Sequence, residues 1–527
     1  MMERITGCLN EKFGRNRAKN HRFRPVFHKI WAELKKKSSI PPEIFYLCSE
    51  KIIVMATLIG RKEEAMLLRK YISSNRPEFI GLYGRRRVGK TFLVNQLLHD
   101  QLTFSVSGLL YGKKSEQMAA FQIALRDHGY EKPIGKSWLE MFFALEDLLT
   151  SKLRRGKPCV IFIDELPCFD RKGGAFVRAL GQFWNTWCSL HDEVKLIVCG
   201  SATSWMVRNI INNRGGLYGR LTHTMHLAPF TLKETEAYLK ANGFRWTRLM
   251  IAQTYMTFGG VPYYLSLLRN DESLAQNIDR LCFSRKGELV AEYEMLYKSL
   301  FDNENPYLQI ISQLADNKSG LTRVELAENL GVADNGHLTE QLEDLENCDI
   351  IRRYYVREKK IKSTGSIFQL IDFFTLFHLT FATKQFENGQ YWQHHLGTPI
   401  LNTWYGHAFE RLCMAHIPQI KKALKIDGIG TEYYSWRSKS KETKTQIDLI
   451  IERADRMINV CEIKYSEGQY LLDKEEADNI RVRWTTFVEQ TGTQCGIFPT
   501  LITTNGTTEN SYASEMAFKL TLADLFE

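Results

Sequence analysis

The sequence predicts an α/β protein of several domains, and three observations carry that reading. Apolar, β-branched runs at 78–83, 159–163 and 195–199 end in polar turns, as parallel strands buried on both faces do. A glycine-rich loop joins the first run to a helical pattern. The chain has 527 residues, which at about 150 residues per domain argues for three or four domains.

Composition narrows the class. With 44% hydrophobic and 25% charged residues, 13 Pro and 35 Gly, large-scale disorder, collagen and low-complexity arrays are excluded. The formal charge is +10, but residues 1–54 hold twelve Lys/Arg against five acids, so the remaining body is nearly neutral. That basic extension reads in three ways: a solvated arm, an arm that neutralises nucleic-acid phosphates, or an untranslated stretch before a start at Met55. Eleven cysteines are scattered without a C-x-x-C pair, which points to a reduced, cytoplasmic protein. Neither a signal peptide nor a membrane span is legible.

Glu78–Tyr83 reads as a strand, and it runs directly into Gly84-Arg85-Arg86-Arg87-Val88-Gly89-Lys90-Thr91 and the helical pattern that starts at Phe92. This is G-x-x-x-x-G-K-T, a P-loop: glycines let backbone N–H groups wrap phosphates, Lys90 reaches the β and γ oxygens, and Thr91 offers a hydroxyl to Mg²⁺. The expected ligand is ATP with Mg²⁺, held by residues 84–92. The run Cys159–Ile163 ends in Asp164-Glu165; a carboxyl strand end places Asp164 to hold the metal through water and Glu165 to polarise the attacking water. The run Lys195–Cys199 leads to Ser201, a candidate γ-phosphate sensor, with Thr203 and Ser204 as rivals. Arg220 or Arg214, before a strand at 222–227, supplies a candidate arginine finger.

Leu58-Ile59-Gly60-Arg61-Lys62-Glu63-Glu64, the loop 84–91, Asp164-Glu165 and Gly259-Gly260-Val261-Pro262 together resemble the archaeal-type P-loop ATPases, among the AAA-like and STAND NTPases. The likeness covers about residues 55–520. It implies the strand order of the additional-strand P-loop class over 55–230, a helical subdomain over 231–300 and a winged helix. It also implies Gly60 and Arg61 near the adenine, and a Gly-Gly-Val-Pro turn that links nucleotide state to the helical subdomain.

The middle of the chain, 301–385, reads independently as a winged helix. A helix from Asn305 is followed by a Thr-capped helix that ends on Gly331, a third helix at 337–347 and a strand at 350–355. The third helix carries Glu340, Glu343, Asp344 and Glu346 without Lys or Arg, which opposes entry into a DNA groove and favours a protein-docking or relay role. The aromatic run 366–378 lacks interspersed cations and reads as core or domain-interface packing.

In 386–527, Trp404–Leu412 is expected to open a helix with Glu410 near its start. Two strands follow, 445–451 and 458–464, joined by a turn at 453–456. Glu462 and Lys464 share a strand face, and Asp448 joins them from the preceding strand. Two carboxylates suit Mg²⁺, and Lys464 suits orienting a water or stabilising charge at a phosphate. This D-(x)13-E-x-K pattern with the upstream Glu410 resembles the restriction-endonuclease-like PD-(D/E)xK core, although no Pro-Asp dipeptide precedes the strand. Two functions follow. One is an ATPase whose nucleotide state controls a nuclease-like domain acting on DNA; the other is a regulatory STAND-like switch whose C-terminal domain is catalytically inactive and only binds. DNA, protein partners at the winged helix and further copies of the chain are the candidate partners; no membrane is.

Overall fold

The glycine loop is positioned by a sheet in the order β2-β3-β4-β1-β5 with every neighbouring pair parallel. The strands are β1 (Glu78–Tyr83), β2 (Leu102–Ser107), β3 (Cys159–Asp164), β4 (Val194–Gly200) and β5 (His223–His226). Here β4 lies between the strand that feeds the loop and the strand that ends in Asp164, which is the order the resemblance implied. On one face Ile80, Leu82, Phe162 and Ile197 pack on α1 (Lys62–Ile72) and α2 (Lys90–Leu98). On the other, Phe79, Ile161 and Leu196 pack with Phe121 of α3 (Lys114–Asp127), Trp138 and Phe142 of α4 (Trp138–Lys152) and Phe176 of α5 (Ala175–Thr186). Burial on both faces is why these strands read as unbroken apolar runs.

The structure, a computed structural model, describes residues 58–170, 174–213, 215–301, 303–317, 319–354, 366–382, 389–438 and 445–527. The basic extension 1–54, Met55 and Arg214 lie outside them. Among the described residues no helix is long and apolar enough to cross a membrane.

Past β5 come α6 (Leu232–Ala241), α7 (Arg248–Phe258), short helices at Pro262–Ser266 and Leu274–Ile278, and α8 (Glu292–Leu300). Thr231 caps α6 in a capping box with Glu234. The next segment holds α9 (Asn305–Asp316), β6 (Leu321–Thr322), α10 (Arg323–Leu330), α11 (Gly336–Asn347), β7 (Ile351–Tyr354) and β8 (Ile367–Leu370). Its sheet is antiparallel, in the order β6-β8-β7. The Thr322 hydroxyl accepts from the Glu325 N–H at 3.2 Å and starts α10, and Gly331 ends it at φ 64°. The aromatic run forms β8 and α12 (Phe373–Phe377), all buried.

The C-terminal segment contributes α13 (Pro399–Ala415), β9 (Thr431–Arg437), β10 (Gln446–Arg453), β11 (Met457–Lys464), α14 (Lys474–Thr491), β12 (Gly496–Thr503) and β13 (Phe518–Thr521). The sheet order is β13-β12-β11-β10-β9, antiparallel through β9-β10-β11 and parallel through β11-β12-β13. One expectation is corrected here. Pro399 occupies the first turn of α13, where its fixed φ starts a helix, so Glu410 lies toward the end of that helix and not near its start. One apolar cluster runs from Phe230 to Phe526, so the helical, middle and C-terminal segments share a core.

Candidate functional site

The loop after β1 owes its shape to two glycines. Gly84, at φ 145°, runs so close to Leu227 O that a Cβ would lie 2.3 Å from that oxygen. Gly89, at φ 95°, faces open space, with no atom within 4 Å of where its Cβ would be. A backbone bent this way, at the start of α2, turns N–H groups toward an anion. The buried Lys90 Nζ donates to Gly84 O at 2.7 Å and Arg85 O at 2.9 Å, across the mouth of the loop. Burial holds its ammonium below the usual lysine value.

Three strand ends meet at this loop. The Thr91 hydroxyl donates to Asp164 Oδ2 at 2.7 Å, and the Cys199 thiol donates to Asp164 Oδ1 at 2.6 Å. Glu165 stands in a left-handed conformation at φ 47°, a strain that non-glycine residues bear chiefly at functional sites. Its Oε2 accepts from the Ser201 N–H at 3.1 Å and the Ser201 hydroxyl at 2.8 Å. Ser201 thus addresses Glu165 directly. The two rivals are committed elsewhere, Thr203 to Ser201 O at 3.4 Å and Ser204 to Asp344 O at 3.0 Å. Hydroxyl, carboxylate and buried ammonium form the donor set that a magnesium nucleotide needs. Arg220 stands exposed on the turn before the edge strand β5.

Arg61 is nearly buried and acts as a pin. Its backbone N–H donates to Glu234 Oε1 at 2.7 Å, its guanidinium to Val88 O at 3.2 Å and to Ala228 O, and it lies 4.8 Å over the Phe230 ring. The stretch with Gly60 therefore braces the glycine loop against the segment after β5. The side chains inside the loop differ in fate: Arg85 is buried against Asp372, Arg87 pairs with Glu292, Arg86 is half-exposed and Phe92 is 52% exposed. For Arg85 and Arg87, then, the side chains are committed to Asp372 and Glu292, which leaves their backbone for any anion in the loop.

A cavity of about 480 Å³ is lined by Glu410, Gln446, Asp448, Glu462, Lys464 and Arg483 among others. It brings together every C-terminal residue selected from the sequence. The register of β10 against β9 shifts between Ile447 and Ile450, and such a bulge re-aims the side chain it carries, here Asp448. Burial, then the neighbouring Glu462 and Glu410, push the Asp448 carboxyl well above the usual range. Glu462 Oε1 meets Lys464 Nζ at 2.9 Å and Arg483 at 2.5 Å, and Glu476 Oε1 meets Lys464 Nζ at 2.7 Å. Among the described residues no three acidic, His or Cys side chains converge closely enough to hold a metal. The donor set fits an ion kept by one or two carboxylates and water rather than a closed cage.

Cys199, Glu476 and Arg483 were not singled out in the sequence. Glu476 and Arg483 lie about two turns apart on α14 with no motif to flag them, and a lone strand cysteine reads as core.

The loop and its strand ends define a P-loop nucleotide-binding core. Residues 58–268 match the family described as an ATPase domain predominantly from Archaea, so this segment carries an ATPase domain of the archaeal P-loop type and binds nucleotide. The chain is similar, at 24% identity over 423 residues, to an uncharacterised protein of Methanocaldococcus jannaschii, covering 78% of this chain and 88% of that one. A shorter uncharacterised ATP-binding protein of the same organism is 44% identical over 43 residues, 8% of this chain and 73% of that one. A solved Walker-type ATPase of Pyrococcus abyssi aligns with 19% identity and a TM-score of 0.45 over 61% of this chain and 96% of its own.

Proposed function

We propose that this chain hydrolyses ATP with Mg²⁺ and that its nucleotide state governs a nuclease-like C-terminal domain acting on DNA. The observation that carries the first half is the convergence of Lys90, Thr91, Asp164 and the Ser201-held Glu165 on one loop. In this reading the backbone of 84–91 and Lys90 cradle the phosphates, and Thr91 and Asp164 hold Mg²⁺, which neutralises charge that develops on the transferred phosphoryl group. Glu165 orients water, and Ser201 keeps its carboxylate turned toward the loop. Arg220, exposed beside an edge strand, suits a finger offered to a neighbouring copy.

The second half rests on the cavity. The sequence of elements α13-β9-β10-β11-α14-β12 with a mixed sheet supports a restriction-endonuclease-like core, and the segment α9 to β8 supports a winged helix. Asp448 and Glu462 would take the metal with water, Glu410 would stand beside them, and Lys464 would face the phosphate. In the winged-helix reading, α11 is turned inward: Asp344 is buried, pairs with Arg208 and accepts from the Tyr307 hydroxyl at 2.8 Å, and Glu346 pairs with Arg353 at 3.0 Å. This supports a relay role for that helix rather than groove reading.

One observation favours the second reading, a regulatory STAND-like switch. Glu462, the central acid, is already neutralised by Lys464 and Arg483, as in a site kept for binding alone. Incubation of supercoiled and linear DNA with the full chain and Mg²⁺ or Mn²⁺ separates the two. Cutting that Asp448→Ala abolishes supports the nuclease; nucleotide-dependent assembly without cutting supports the switch.

A further inference from the structure

Two side chains of the glycine loop, Arg85 and Arg87, pair with acids supplied from far along the chain. Arg85 is 1% exposed and its guanidinium is paired with Asp372, 4% exposed, a residue 287 positions on. Among the described residues Arg85 Nε and Nη2 find no acceptor, so Asp372 is the anchor of this buried cation. Arg87 pairs with Glu292 and lies 4.1 Å over the Tyr263 ring, and Glu292 accepts from the Tyr264 hydroxyl at 2.8 Å.

Asp372 is itself held. Its Oδ1 accepts from the Thr375 N–H at 2.8 Å as the cap of α12, and Thr375 Oγ1 lies 2.7 Å from the Tyr297 hydroxyl. The acid therefore stands at a fixed point, where β8 turns into α12. The same turn is gripped from the other side: Leu370 O accepts from Arg411 Nε at 3.0 Å, and the buried Arg411 adjoins Glu410 on α13. The nucleotide loop and the cavity acid are thus tied to one short segment, 370–372. A buried ion pair contributes little net stability against apolar replacements, and registry is its best-attested use.

We propose that Asp372 is a positioning residue of the nucleotide site: through Arg85 it sets the backbone of 84–91 for the phosphates, and segment 370–372 passes nucleotide state to Glu410. This rests on the nucleotide-binding reading of the loop and, in its second half, on the cavity being a site. It assigns to the C-terminal half a part in forming the ATP site, and it makes coupling reciprocal: a ligand of the cavity whose affinity ATP changes by some factor changes ATP affinity by the same factor.

The test uses the full chain and ATP. The double variant Arg85→Met/Asp372→Asn removes both charges of the buried pair with side chains of similar size and keeps an amide oxygen to cap α12. It is expected to melt like the wild type without nucleotide, yet to bind ATP at least about tenfold more weakly, within the usual range of coupling. Asp372→Glu is expected to lose about threefold or more, because the longer side chain keeps the charge and shifts its position. In the wild type, ATP should slow amide exchange at 370–377 and 405–412; in the double variant, at saturating ATP, that slowing should vanish. A double variant that melts normally and binds ATP with unchanged Kd overturns the positioning role. Should the double variant not fold, Asp372→Glu decides: unchanged Kd overturns the proposal, and weakened binding upholds it. Absence of ATP-dependent exchange in the wild type at those segments overturns the relay. A wild type that binds no ATP would instead sink the nucleotide reading, so the two failures are distinct.

Discussion

At the scale of single residues, the hydrolytic roles separate by what each side chain touches. Lys90 bridges the loop, so Lys90→Ala is expected to abolish ATP binding in a calorimetric titration. Glu165→Gln keeps the shape and removes the charge; ATP binding should persist while phosphate release falls about 10²- to 10⁴-fold, the usual contribution of a positioned general base. Ser201→Ala removes the hydroxyl that holds Glu165 and leaves the backbone N–H bond in place. A hydrogen bond to a charged group is worth about 1.5–3 kcal/mol, so hydrolysis should fall by roughly ten- to a hundredfold with ATP affinity unchanged. Equal loss in binding and rate would mean that Ser201 serves the fold rather than Glu165.

At the scale of elements, local signals were legible and long-range partners were not. The Thr322 cap and the Gly331 stop of α10 stand beside the helix they bound, and both are where the sequence puts them; Thr322→Ala should cost about 1 kcal/mol in a denaturant melt. The start of α13 escaped because the apolar pattern around Trp404 outweighed Pro399. The acids of α11 argued against a DNA groove, but their partners Arg208, Tyr307 and Arg353 come from other elements. The end of β5 makes a similar junction: His226 Nε2 lies 2.8 Å from Asp349 Oδ2 in the turn after α11. That bond raises the His226 pKa, although burial and the nearby Lys90 and Arg61 cations pull it down. The pair therefore stabilises the fold fully below the unfolded value of about 6.5, and loses that contribution as pH rises through the higher folded value. The melting temperature should fall across that window in the wild type and vary less in Asp349→Asn, which keeps a residue tolerant of the left-handed φ of 57° at that position.

At the scale of the whole molecule, the two candidate sites differ in how much a sequence can disclose. The glycine loop is contiguous and chemically constrained, so it reads from eight residues; Asp164-Glu165 follows from a strand end. The braces that complete it, Cys199, Glu292 and Asp372, arrive through tertiary packing and carry no spacing signal. In the C-terminal cavity Glu410, Asp448, Glu462 and Lys464 were legible as a set, whereas Glu476 and Arg483, which pair with Lys464 and Glu462, sit on α14 with no motif to mark them. In the proposed function one chain joins an ATP site to a metal-dependent DNA site. The most direct measurement is DNA cleavage by the purified full chain in Mg²⁺ or Mn²⁺, with and without ATP, beside Asp448→Ala and Lys90→Ala and with phosphate release read on the same samples. Cutting is expected that Asp448→Ala abolishes and that changes with ATP only while Lys90 is intact. Lys90-dependent phosphate release with no cutting under any condition would contradict the proposed function and leave an ATPase switch without nuclease activity.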